Sequence, residues 1–72
     1  MNIGEQLARQ TGYDTAEAYA IAGNDQKFPP LANLQHQLSN QLPNFTALEP
    51  DKQGALIALA VEGWEEYRRC AR

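Results

Sequence analysis

Residues 50–72 read PDKQGALIALAVEGWEEYRRCAR, and the reading of this stretch decides the fold. Residues 55–61 form an unbroken apolar run. A buried strand shows the same run, so periodicity alone does not settle it. Length and composition do. The segment is far longer than a strand, and it is rich in Ala, Leu, Glu and Arg, which lose little rotamer freedom in a helix. Pro50 suits a first helical turn, where its missing N–H would be orphaned anyway. Asp51 lies at the positive end of the helix dipole, and Arg68, Arg69 and Arg72 lie at the negative end. The stretch predicts one long helix that the rest of the chain covers.

At about 100° per residue, Leu56, Ile57, Leu59, Ala60, Val61, Trp64, Tyr67, Cys70 and Ala71 fall within one broad arc. Glu62, Glu65, Glu66, Arg69 and Arg72 fall opposite, with Ala55 and Ala58 on the outer side. An arc wider than half the wheel needs more than one neighbouring helix to cover it. Cys70, inside the arc, reads as a structural thiol. The acidic cluster reads as a solvated helix surface, with Glu65 and Arg69 in the favourable i,i+4 order.

Outward from this helix, residues 44–49 read as a connector in which Phe45 and Leu48 anchor to the core. Thr46 and Glu49 match a capping box, but Pro50 favours a single turn and a fresh start. Before it, Phe28-Pro29-Pro30 is a stiff lead-in to a helix opened by Pro29 or Pro30 and stopped by Pro43. Leu31, Leu34, Leu38 and Leu42 make a narrow apolar stripe there, suited to packing along one partner helix. The other side chains of that helix are mostly Asn, Gln, Ser and His, and His36 faces away from the stripe, toward solvent.

The N-terminal third predicts two short helices. Residues 2–11 carry Asn2 as cap and Glu5 as the second half of a capping box, and Gly12 ends the helix. Residues 14–22 carry the same pattern in Asp14 and Glu17, with Tyr13 positioned to staple against Ala18. Alanines make this helix thin, and Tyr19 and Ile21 are its bulky groups. Gly23, Asn24 and Asp25 form a turn. The architecture expected is all-α, a single domain over residues 1–72, with three to four helices.

Two short helices around Gly12 are compatible with a helix-turn-helix over residues 6–21. The chemistry argues against DNA reading. Asp14, Thr15 and Glu17 occupy the end where base and phosphate contacts belong, and that helix holds no Arg or Lys. A formal charge of −3 is also contrary to a dense phosphate-binding patch.

His36 is the only histidine and Cys70 the only cysteine. No zinc spacing, intrachain disulfide or nucleophile-and-base set can be assembled from them. The expectation is therefore no enzyme, no cofactor and no metal. No apolar run reaches bilayer-spanning length, and the N-terminus lacks a signal-peptide layout, so a cytoplasmic location is expected. The function favoured is non-enzymatic: an adaptor, an immunity-type protein or a phage-style inhibitor that binds another protein or its own copy. The alternative is a small helix-turn-helix regulator. Large apolar residues outside the last helix are few, so part of its arc is expected to stay open. Ile57, Val61, Trp64 and Arg68 line one strip of the arc, with Trp64 as the buried anchor of an interface and Arg68 as its charged end.

Overall fold

The last helix forms as its composition requires. In the computed structural model, which describes residues 3–24 and 26–70, α3 spans Pro50–Cys70. Pro50 is its first residue. The Glu49 carbonyl accepts the Gln53 N–H, and the Gln53 side chain donates to the Leu48 carbonyl, 2.9 Å away, tying the start of the helix to the connector. The connector is a single 3₁₀ turn, Phe45–Ala47, whose Phe45 is buried. The fold is all-α: α1 is Ile3–Ile21, α2 is Leu31–Gln41, and the long α3 follows the turn.

The two-helix reading of the N-terminal third is corrected by α1, which runs unbroken through Gly12. A glycine that terminates a helix takes a left-handed conformation, and the residue that does so is Gly23, at φ 76°. Its N–H bonds to the Ala20 carbonyl and the Asn24 N–H bonds to the Tyr19 carbonyl, the paired bonds of a Schellman end. The expected staple of Tyr13 on Ala18 gives way to an edge-on contact between Tyr13 and Tyr67, ring centroids 5.1 Å apart. The proposed cap Asn2 lies outside the described residues, as do Asp25, Ala71 and Arg72.

Gly12 serves a different purpose. A methyl placed on it would stand 2.8 Å from the Ala60 Cα and would overlap the Ala60 carbonyl. Gly63 meets Arg9 in the same way, with an added methyl 3.0 Å from the Tyr13 nitrogen. The facing surfaces are small residues: Ala8, Gly12 and Ala16 on α1, Ala60 and Gly63 on α3, all buried. Backbone therefore lies against backbone, which only side chains this small permit. Thr11 and Thr15 complete the buried face of α1, and each hydroxyl donates to the carbonyl one turn back, Leu7 and Thr11 respectively. That local bond satisfies a buried hydroxyl without a partner on another helix.

The helices run up, down, up. Gly4 lines a groove with Leu56, and Ala20 lines a cleft with Arg68, so α1 and α3 point the same way. Asn33, near the start of α2, donates to the hydroxyl of Tyr19, near the end of α1, at 2.9 Å, and α2 runs back along α1. Ala8, Leu34, Leu38, Phe45 and Ala60 make the buried cluster, with Leu42, Leu48, Leu56, Ile57, Leu59 and Val61 half-buried around it. The leucine stripe is thus core at its centre, but Leu31 at its start is 55% exposed. Cys70, expected in the apolar arc, is exposed. Among the described residues no helix is long and apolar enough to cross a membrane.

Candidate functional site

Of the strip proposed for binding, Trp64 is buried and Ile57, Val61 and Arg68 are half-buried. Trp64 is 1% exposed and sits edge-to-face with Tyr19, ring centroids 5.2 Å apart at 81°. Ile57 and Val61 are half-buried against the cluster that contains Leu34 and Leu38. Arg68 donates to the Gln26 carbonyl and so ties α3 to the segment between α1 and α2. The four residues are near one another as their spacing requires, and the chain covers Trp64 fully and the other three in part. The continuous α1, running parallel to α3, brings Tyr13 onto Tyr67 and Tyr19 onto Trp64.

A polar contact that the sequence did not foretell lies on the same side of α1. Arg9 donates through Nε at 3.1 Å and Nη2 at 2.7 Å to one Glu66 oxygen, and through Nη1 at 3.4 Å to Glu62. The hydrogen bond and charge of Glu66, with a smaller contribution from Glu62, raise the Arg9 pKa above its ordinary value. The acids read as a solvated face thereby hold α1 to α3. Such a pair is partly exposed and contributes modestly.

Two hollows remain. One, about 310 Å³, is lined by Tyr19, Trp64, Tyr67 and Arg68 among others. The buried Nε1 of Trp64 makes no hydrogen bond, a rare state for a buried donor. The other, about 560 Å³, lies at the opposite end of the bundle between Gly4, Leu42, Phe45, Leu48, Leu56 and Leu59, with Lys52 and Glu5 also lining it. Among the described residues no group of His, Cys, Asp and Glu is placed to hold a metal ion.

The outer face of α2 carries a different signature. Leu34 and Leu38 point into the core, and Ala32, Gln35, His36 and Asn40 are exposed on the other side. His36 faces solvent as its place on the wheel predicts. Residues 28–48 contain no Asp, Glu, Lys or Arg at all. Two large apolar side chains stand out of this neutral stretch, Phe28 at 76% and Leu31 at 55% exposure. The signal for this surface was in the sequence as an absence of charge.

Compared with protein-family models, curated proteins and solved structures, the chain matches none.

Proposed function

We propose that this is a non-enzymatic protein that acts by binding another protein, in the manner of an adaptor or inhibitor, and that the binding surface is the neutral face built from residues 28–48. The observation that carries the reading is the exposure of Phe28 and Leu31 within a stretch free of charge. The centre of a protein interface is depleted in charged residues and enriched in aromatic ones, because desolvating a charge opposes association. A bare phenylalanine and leucine beside exposed amides meet that description. Ile57 and Val61 pack against the cluster that holds Leu34 and Leu38 of this segment.

The test is an affinity capture from the source cell, run in parallel with the wild-type chain and with Phe28→Ser/Leu31→Ser. Both positions are exposed, so the variant keeps its core. A protein retained by the wild type and lost from the variant supports the reading. Equal retention by both chains removes this face as the binding surface. The helix-turn-helix regulator has no observation in its favour, since residues 6–21 form one helix. Tight, salt-dependent binding to duplex DNA would restore it.

A further inference from the structure

We propose that the hollow between the second half of α1 and the last turns of α3 is a binding site for a small, neutral aromatic carbonyl compound, and that Trp64 recognises its carbonyl oxygen. The site shares no residue with the neutral face of residues 28–48, so it goes beyond the protein-binding reading and does not depend on it.

Trp64 is 1% exposed. Its indole has a single polar atom, Nε1, which can only donate a hydrogen bond. That atom is buried with no acceptor. Buried donors nearly always have a partner, because an unpaired one loses its hydration and regains nothing. Trp64 also lines a hollow of about 310 Å³. One water claims only about 30 Å³, so a single water would leave most of this space unfilled. The volume lies near the lower bound of the roughly 300–1,000 Å³ of small-molecule sites. It suits a ligand built on one ring. Ala16 and Ala20, which line the hollow from α1, leave that room because their side chains are single methyls.

The walls select the chemistry. Tyr19, Trp64 and Tyr67 all line the hollow, and Tyr19 already meets Trp64 edge-to-face at 81°. A further flat ring gains the same edge or offset contacts. A neutral indole N–H does not repay the desolvation of a carboxylate. Arg68, also in the lining, is engaged by the Gln26 carbonyl. The lining holds no acidic side chain to pair with an ammonium group. A neutral acceptor therefore fits best. The larger hollow at the other end of the bundle is lined by Lys52 and Glu5 and, among the described residues, by no unpaired buried donor.

Nε1 is sealed from solvent by its neighbours. Tyr19, Tyr67 and Arg68 are only half-buried, and the acceptor reaches Nε1 as one of them turns aside. Populating that arrangement subtracts from the affinity. A small ligand then binds weakly, with a Kd of about 0.1–1 mM.

The chain has one tryptophan, so its indole N–H gives a single cross-peak in a proton–nitrogen correlation spectrum. Acetophenone is the probe. Ethylbenzene, which lacks the acceptor, is its comparison. Acetophenone is expected to move the peak downfield and saturably, with half-saturation at or below about 1 mM. Ethylbenzene should bind about tenfold more weakly, the worth of one hydrogen bond. Ala20→Leu fills the hollow from an exposed position and should abolish the shift. Phe28→Ser/Leu31→Ser should leave it intact. Circular dichroism checks that each variant is folded. A peak that acetophenone does not move overturns the proposal, and one already at the shift of a hydrogen-bonded indole assigns Nε1 to a bound water instead. Equal binding of ethylbenzene removes Trp64 as the recognising residue. A shift that survives Ala20→Leu, or that is lost in Phe28→Ser/Leu31→Ser, places the probe elsewhere and overturns the site.

Discussion

Replacing Gly12 with alanine sets two effects of known size against each other. Helix propensity favours the change by about 1 kcal/mol at an interior position. Packing opposes it. The new methyl would lie 2.8 Å from the Ala60 Cα, whereas carbon atoms at rest stand about 3.5–4 Å apart. The obstacle is the backbone of α3, which has no rotamer to change, and its carbonyl stands nearer than its Cα, so α1 and α3 must separate by more than about 1 Å. That gap opens the whole small-residue seam, including the Gly63 contact with Arg9. Overpacking of this kind costs about 1–3 kcal/mol, and the rigid obstacle places Gly12 toward the upper end. The net expectation is a loss of about 2 kcal/mol, which lowers Tm by roughly 8–16 °C in a domain this small. Gly54 supplies the control. It lies in α3, is exposed, and has open space where its Cβ would go. Gly54→Ala should stabilise by about 0.5–1 kcal/mol from propensity alone. Urea and thermal unfolding followed by circular dichroism measure both. A Gly12→Ala protein as stable as the wild type would refute the close crossing of α1 and α3.

Leu38 is fully buried, so Leu38→Ala should cost about 2–5 kcal/mol in denaturant unfolding; a loss under about 0.5 kcal/mol would mean that α2 does not pack as described. Trp64 is covered by its own chain, and its fluorescence should be blue-shifted, resistant to iodide quenching and unchanged on dilution. A red-shifted, quenchable spectrum would return Trp64 to the surface. Glu66→Gln removes the charged partner of Arg9 and should lower Tm slightly at low salt, with the difference fading as salt is added; a salt-independent loss would assign Glu66 a packing role instead. Because the Arg9 pKa is raised from an already high value, its contribution is present throughout the range below the unfolded-state pKa and is lost only as pH rises through the folded value. Raising the pH from 7 to about 10 should accordingly leave the Arg9 clasp intact, since an arginine stays protonated there.

The all-α class and the long last helix were legible in residues 50–72, because chain length, propensity and the place of Pro50 all act locally. The same holds for the turn at Phe45, the burial of Leu34 and Leu38, and the outward place of His36. Gly12 and Gly23 show the limit. Each is a glycine after a plausible helical segment, and either reads as a helix end. Their difference arises across the interface: Gly23 takes a left-handed backbone at a chain turn, while Gly12 stays helical and admits the carbonyl of Ala60. No local pattern encodes which backbone will cross which, so one helix was read as two.

With α1 continuous and parallel to α3, Tyr19 lies on Trp64 and buries it, while Ile57, Val61 and Arg68 stay half-buried. Glu62 and Glu66 likewise looked like ordinary solvated acids until Arg9 was brought to them from the far end of the sequence. The sequence by itself determined which segments are helical and which face of each is apolar, since both depend on neighbours within a turn or two. Only the tertiary structure decided which apolar faces are spent on one another and which remain outside, because burial is set by contacts between residues some fifty positions apart.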